Sequence, residues 1–325
     1  VHASLGHLRL SIIDLSADGR QPMKNKRGNL FLIFNGEIYN YIEIRRELES
    51  RGRTFRSRTD TEVILQAYEE WGENAVARFN GMWAFAIWDS EAKKLFCSRD
   101  RFGIKPLFYF EKEGTLVFGS EMKALLNSEI VRPQLNETFL YNYLDRSVPY
   151  GSDETVFHGI KVLPSAHNLV WENGVSRISR HWTFDPARFK TSYDYADPVG
   201  TFRDLLIDSI KLRLRSDVPV GVCLSGGIDS SVIVGVISKI LGRTVDTFSS
   251  VYREKNYTEE EFVDAVNAFT GARAHKIYPT PKDFFPVLDE LIRHHDEPVR
   301  MPSTFSHWHV FQAAKGNVIV TLDGQ

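Results

Sequence analysis

Residues 218–241 read "VPVGVCLSGGIDSSVIVGVISKIL". A short apolar run bounded by a glycine loop suits a buried strand, and the apolar run after the loop suits a helix. Strand, glycine loop and helix in that order are the unit of a parallel sheet, where ligands bind outside the carboxyl ends of the strands. Gly226 and Gly227 let the backbone approach an anion closely. The helix start offers free N–H groups, and Ser225, Ser230 and Ser231 add hydroxyls. The loop lacks the lysine of G-x-x-x-x-G-K-[ST], so the common nucleotide loop is excluded. Asp229 would repel phosphate unless a cation lay between them, which implies Mg²⁺. The plain alternative is a glycine-serine turn at a strand–helix junction; the flanking strand and helix weigh against it.

The same alternation extends over residues 198–325. Asp197-Pro198 reads as an N-cap followed by proline at the first helical position. Phe202, Leu205, Leu206, Ile210 and Leu214 then repeat on one helical face. "TVDTFSSV", "ARAHKIY" and "NVIVTL" read as strands, and "TEEEFVDAVNAFTG" and "PKDFFPVLDELIRHH" as helices. That order predicts an α/β domain with a parallel sheet. Residues 183–197 show no clear period and read as a linker. Residues 1–182 are different: a buried strand at Leu30–Phe34, then the short aromatic-rich runs Met82–Trp88, Lys94–Ser98, Pro106–Phe110 and Leu116–Phe118. Polar turns separate these runs, so antiparallel hairpins are expected, the clearest at Asn173-Gly174. Two stretches of helical spacing, each followed by glycine, lie among them.

The chain has 325 residues, which favours two domains. A net charge of −2 and a pI of about 6.6 give no reason to expect nucleic acid or an acidic membrane as partner. No apolar stretch is long enough to span a bilayer. Two cysteines, Cys97 and Cys223, suit a reducing compartment, and the cytoplasm is expected. The chain opens on Val1 and closes at Gln325 directly after an apolar run, which reads as a piece of a longer protein.

Three stretches of the first domain carry a charge set. "RLSIID" supplies Arg9, "FNGEIYN" supplies Asn35, Gly36 and Glu37 just beyond a strand, and "SRTDTEVIL" places Asp60 at a helix N-cap. A guanidinium for a carboxylate and two acids for an ammonium match an α-amino acid. Asn35 with a backbone N–H near Gly36 could form an oxyanion hole. Taken one at a time, a cap, a surface ion pair and a turn explain these residues as well.

Together with "GMWAFAIWD", "SRDRFGIKPLFY" and "SEMKALL", these stretches resemble the glutamine-hydrolysing asparagine synthetases over essentially the whole chain. "SGGIDSS" resembles the pyrophosphate loop of the N-type ATP pyrophosphatases. The resemblance implies an N-terminal-nucleophile-type α/β/β/α sandwich with antiparallel sheets, then an α/β parallel-sheet domain of the ATP pyrophosphatase (adenine nucleotide α-hydrolase-like) type. It implies ATP and Mg²⁺ as cofactors, with glutamine, aspartate and ATP as substrates, and amidation through a β-aspartyl-AMP intermediate. A homodimer is a candidate assembly. Glutamine would meet Arg9, Leu10, Ser11, Ile12, Ile13, Asn35, Gly36, Glu37 and Asp60. ATP would meet Leu224, Ser225, Gly226, Gly227, Asp229, Ser230, Ser250, Asp323 and Gly324, with Asp229 on Mg²⁺.

The family's nucleophile is an N-terminal cysteine that these residues do not include. Cys97 and Cys223 are internal and read as buried thiols in mid-strand, so neither substitutes. This stretch alone is therefore expected neither to hydrolyse glutamine nor to make asparagine. Two other readings compete: a related amidotransferase or β-lactam-synthetase-like enzyme acting on another carboxylate, and a silent nucleotide-binding scaffold. His294, His295, His307 and His309 suggest a metal site, but a basic helix end followed by a loop explains them more simply.

Overall fold

A computed structural model of the chain describes residues 2–145, 152–189, 196–254, 258–299 and 302–324. The chain forms two units, Val1–Lys190 and Thr191–Gln325.

The first unit contains, in order, β1 (Met23–Lys24), β2 (Leu30–Ile38), α1 (Tyr41–Ser50), α2 (Asp60–Trp71), β3 (Gly81–Asp89) and β4 (Lys94–Arg99). There follow β5 (Phe108–Lys112), β6 (Thr115–Gly119), α3 (Met122–Leu126), α4 (Glu137–Asp145), β7 (Lys161–Val162), β8 (His167–Glu172), β9 (Val175–Arg180) and α5 (Pro186–Phe189). One sheet runs β1-β2-β3-β4-β8-β9 and a second runs β6-β5-β7, with every pairing antiparallel.

Period-two alternation sorts the side chains into layers. Leu32, Phe34, Trp83, Phe85 and Ile87 pack against Ile44 and Leu48 of α1 and Val63 and Ile64 of α2. On the opposite face, Ala84, Ala86, Trp88 and Cys97 meet Leu107 and Tyr109 of the second sheet's chain. Beyond that sheet, Phe108, Phe110 and Val117 pack with Met122 and Leu125 of α3 and Phe139 of α4. The result is an α/β/β/α sandwich. The hairpin between β8 and β9 turns at Asn173 (φ 54°) and Gly174 (φ 81°), the left-handed pair that Asn-Gly favours.

Three details of this unit differ from the sequence reading. β2 does not stop at Phe34: Asn35, Gly36 and Glu37 pair across to Ala84, Trp83 and Met82 of β3. Asn and Gly are poor strand formers, and the long partner strand overrides that preference. Asp60 is the first helical residue of α2 and not its cap; Thr59 is the cap, accepting the Glu62 N–H at 3.1 Å. The segment expected as a linker, 183–197, includes the short helix α5, and its residues 190–195 lie outside the described residues.

The second unit contains α6 (Pro198–Arg213), β10 (Val220–Cys223), α7 (Ile228–Gly235), β11 (Asp246–Ser250), α8 (Glu260–Thr270), β12 (Arg273–Ile277), α9 (Phe284–His295), α10 (Pro302–Ala314) and β13 (Val320–Leu322). Its sheet is parallel, in the order β12-β11-β10-β13. Asp197 caps α6 by accepting the Gly200 N–H at 2.9 Å, with Pro198 beside it. The packed stripe of α6 is narrower than expected. Leu206, Ile210 and Leu214 join the core, while Phe202 and Leu205 are exposed. α7 runs on into a single π-helical stretch, Val236–Ile240. α10 is the element the sequence reading took for a loop. Its run "STFSHWHVFQ" has no clean apolar stripe and is rich in weak helix formers, yet Phe305, Val310 and Ala314 are buried.

Candidate active sites

In the first unit a cavity of about 760 Å³ opens beside the ends of β2 and β3. Asn35, Gly36 and Glu37 line it from β2, and Asp60 lines it from the start of α2. Arg9, Leu10, Ile12 and Ile13 line it from the N-terminal segment; Ser11 is not among the lining residues.

Asp60 is buried, and its Oδ2 accepts the Ile38 N–H at 3.0 Å. Burial pushes its carboxyl up to about 6; N–H groups of Ile38 and the helix start, and the charge of Arg9, pull the other way. The carboxyl is therefore poised to ionise fully when a cation enters the cavity. Glu37 is 3% exposed. Asn35 is held by its side-chain amide, which donates to Ser120 Oγ at 3.2 Å. Gly36 has φ 149°, and a Cβ there would lie 2.1 Å from the Met82 carbonyl oxygen. Only glycine allows this backbone to pass so close to its neighbour.

The Arg9 guanidinium donates to the carbonyls of Ser16 (3.1 Å), Ile13 (2.9 Å) and Asp14 (2.6 Å). It fills the space a Cβ on Gly19 would occupy. It thus shapes the segment it sits in as well as bringing charge to the cavity.

Sequence reasoning missed the loop that follows β4. Asp100 is fully buried. Its Oδ1 accepts the N–H groups of Phe102 and Ile104, and its Oδ2 those of Trp83 and Lys105, at 3.0–3.2 Å. Arg99 donates to the carbonyls of Gly103, Lys105 and Leu163. This brings Lys105 to the cavity wall. The signal was present in "SRDRFGIKP": an aspartate just before a Gly-containing turn, able to accept the N–H groups two and four residues on, is an Asx-type organiser.

In the second unit the expected nucleotide residues gather at the carboxyl ends of three adjacent strands. Leu224 follows β10, Ser250 ends β11, and Asp323 and Gly324 follow β13. The loop after β10 is closed by Ser230, whose Oγ accepts the Ser225 N–H at 3.3 Å, lies 3.1 Å from Ser225 Oγ and donates to the Gly227 carbonyl at 3.2 Å. Gly226 has φ 88° and Gly227 caps α7. Asp229 sits exposed in the first helical turn. A Cβ on Gly324 would lie 2.9 Å from the Ser230 nitrogen, so the turn after β13 rests directly on the loop. Two buried hydroxyls, Ser231 and Ser250, have no hydrogen-bond partner among the described residues. Ser250 lies at the carboxyl end of β11 and Ser231 in the first turn of α7. One carboxylate plus ligand phosphates is a donor set that Mg²⁺ accepts.

Residues 1–182 match the glutamine amidotransferase domain family, and residues 201–325 match the asparagine synthase family. The chain belongs to the glutamine-hydrolysing asparagine synthetase family. Asparagine synthetase [glutamine-hydrolyzing] 1 of Bacillus subtilis is 36% identical over 329 residues, covering all of this chain and 50% of that protein. Asparagine synthetase [glutamine-hydrolyzing] 3 of the same organism is 33% identical over 340 residues, covering all of this chain and 55% of that one. The chain thus spans about half the length of these curated relatives.

The two thiols keep to the interior. Burial raises the pKa of Cys97 in β4, and burial with the charge of Asp323 pushes Cys223 up to about 11. Cys223 ends its strand and is not in mid-strand. Three of the four histidines have separate neighbours. His294 Nδ1 lies 2.8 Å from the Glu290 carbonyl oxygen, His307 Nε2 lies 3.5 Å from Asp323, and His309 stands edge-on to Phe305. Among the described residues no cluster of three or more His, Cys, Asp or Glu is placed to hold a metal, and no helix is long and apolar enough to cross a membrane.

Proposed function

We propose that the protein carries out glutamine-dependent amidation of aspartate to asparagine, driven by ATP through a β-aspartyl-AMP intermediate, with AMP, pyrophosphate and glutamate as the other products. The observation that carries this reading is the cavity that gathers Arg9, Asn35, Gly36, Glu37 and Asp60 in one place. A zwitterionic amino acid needs a cation and a pair of acids at one end. The amide at its other end needs N–H donors, which Asn35 and the backbone at Gly36 offer. Glu37 and Asp60 hold the ammonium and Arg9 the carboxylate.

In the second unit the loop of Ser225 to Ser230 holds the leaving pyrophosphate through backbone N–H groups and hydroxyls. Leu224 and Ser250 border the nucleoside, with Asp323 and Gly324 on its other side. Asp229 would hold Mg²⁺, which would offset the charge of the phosphates. ATP, when bound, supplies the adenylyl group that activates the acceptor carboxylate. The buried free thiols fit work in the cytoplasm.

The test is pyrophosphate release by the protein at its natural full length, given ammonia, ATP and Mg²⁺. Release that requires aspartate and matches asparagine formed is expected. Release with another carboxylate but not with aspartate would move the protein to a different acceptor, and no release with any acceptor would sink the reading.

A further inference from the structure

We propose that Gln21 is a positioning residue of the first unit's site: together with Asp60 it braces the edge of β2, so that the Gly36 N–H is held ready for a ligand's reacting amide. The proposal rests on the glutamine reading of the cavity, whose lining includes Gln21, Gly36, Asp60 and Thr61.

The backbone N–H groups of a strand point alternately to its two neighbours. On β2 the register with β1 decides which go where. Met23 lies opposite Leu32, and the Asn25 N–H donates to the Leu30 carbonyl at 3.1 Å. The even-numbered residues of β2 therefore turn their N–H groups to the β1 side. The other neighbour agrees. Trp83 of β3, opposite Gly36, donates its N–H to the Asp100 carboxylate and accepts the Asp100 N–H, so it leaves Gly36 facing away. β1 begins only at Met23. Beyond Leu32, the N–H groups of Phe34, Gly36 and Ile38 thus point to a side where no strand lies among the described residues.

Side chains take the first and the last of these. Gln21 Oε1 accepts the Phe34 N–H at 2.6 Å, and Asp60 Oδ2 accepts the Ile38 N–H at 3.0 Å. The register carried on from Met23 puts Gln21 opposite Phe34. Its side-chain amide stands in for a ladder that Pro22, with no N–H, cannot extend. Among the described residues no acceptor meets the Gly36 N–H between them. Gln21 also links the two braces. Its Nε2 donates to Thr61 Oγ1 at 3.4 Å, and Thr61 is buried beside Asp60 in the first turn of α2. One side chain thus fixes β2 ahead of Gly36 and reaches the helix that fixes it behind. Donors to a developing oxyanion act best when already in place as the charge forms. Gly36, at φ 149° and without a side chain, has little of its own to hold its peptide there.

The experiment uses the protein at its natural full length and compares Gln21→Met, Gln21→Glu and the unaltered form. Methionine keeps the length and loses the acceptor; glutamate keeps an oxygen for the Phe34 N–H. Two rates are followed: glutamate release from glutamine, and pyrophosphate release driven by ammonia. Gln21→Met is expected to lower kcat for glutamate release about 10-fold, with KM for glutamine and the ammonia-driven rate each within about 3-fold. Gln21→Glu is expected to keep kcat within about 3-fold. An unchanged kcat in Gln21→Met overturns the proposal. So does a loss carried by KM, an equal fall in the ammonia-driven rate, or an equal loss of kcat in Gln21→Glu, since Gln21 would then serve the fold or the ground-state ligand. If the unaltered protein releases no glutamate, the glutamine reading fails on its own. The bracing is then read on the same protein by amide hydrogen exchange. Faster exchange at Gly36 in Gln21→Met, with Ile87 of the same sheet unchanged, supports it; unchanged exchange at Gly36 overturns it.

Discussion

The two candidate sites are built on opposite plans. In the first unit Glu37 and Asp60 are buried and Asn35 and Lys105 half-buried, and protein groups set the positions of several: Asp60 by Ile38, Asn35 by Ser120, the Lys105 backbone by Asp100. In the second unit the loop after β10 is exposed at Ser225, Gly227 and Asp229, and among the described residues the Ser231 and Ser250 hydroxyls lack protein partners. One site stores its charges within the fold and carries the cost of burying them. The other holds little charge until a ligand arrives. A site of the first kind couples strongly to fold stability; one of the second kind couples mainly to binding.

The sharpest way to break this contrast is a pair of glycine substitutions. Gly36→Ala puts a Cβ 2.1 Å from the Met82 carbonyl oxygen at φ 149°. It should cost at least about 3 kcal/mol in urea unfolding of the first unit. Gly227→Ala meets only Ser225 Oγ at 3.4 Å, and should leave unfolding within about 1 kcal/mol of the unaltered chain. Similar losses at both positions would abolish the distinction.

Asp60→Asn comes next. A carboxyl raised in the fold binds its proton more tightly folded than unfolded. Its ionisation therefore costs the fold stability as pH rises from the unfolded value of 3.8 to about 6, by up to roughly 3 kcal/mol. The amide should stabilise the ligand-free chain by about 1–3 kcal/mol at pH 8, and the gain should vanish as pH falls to about 4. Urea melts at pH 4, 6 and 8 check this; a gain independent of pH would count against a buried ionised carboxylate. The same substitution should weaken glutamine binding, so stability and affinity move in opposite directions.

Ser230→Ala probes the second plan. It should weaken Mg²⁺–ATP binding by about 10-fold in calorimetry while lowering stability by about 1 kcal/mol or less. A large loss of stability instead would mean that this loop, too, is part of the fold's framework.

The smallest effect is expected at the far edge of the parallel sheet. Arg273 and His275 hold Asp246, whose carboxyl is lowered to about 2, chiefly by the Arg273 hydrogen bond. Arg273 is largely exposed, so Arg273→Ala should lower the melting temperature at pH 7 only slightly. A depressed carboxyl stabilises the fold above its unfolded value and loses that contribution as pH falls. The difference between variant and unaltered chain should therefore narrow between pH 3.8 and about 2. Thermal melts across that interval measure it.

The contrast also explains what could be read from the residues. The second unit's loop was legible because its parts are consecutive: strand, Gly226, Gly227, Asp229 and Ser230 lie within one short run. The parallel strands were legible for the same reason, being continuous apolar runs. The first unit's charge set was legible only as an inventory, because Arg9, Glu37 and Asp60 come from three separate stretches. The extension of β2 through Asn35 and Gly36 was not legible at all. Its cause is the pairing with Trp83 and Met82, some fifty residues away, which outweighs the local preference of Asn-Gly for a turn. The loop after β4 was missed because Asp100 organises it through backbone N–H groups, and α10 because Trp308, His309 and Phe311 blur its apolar face. The thiol environments depended on where each strand ended, which a propensity reading places only to within a few residues.

The order β12-β11-β10-β13 has a consequence for assembly in time. Val220 of β10 pairs with Val320 of β13, one hundred positions further along the chain. β3 and β4 of the first unit, by contrast, pair across a short hairpin, Asp89 with Lys94. Closing the longer span costs only modestly more entropy but slows the search, since sheets dominated by distant pairings fold late. During synthesis, the strand that carries the loop of Ser225 to Ser230 must stand with one flank uncovered until β13 has been made. Gly324, which seats the closing turn against Ser230, reaches the loop only after β13. The loop should therefore reach its closed form only once β13 has emerged, well after the first unit's strands have been made.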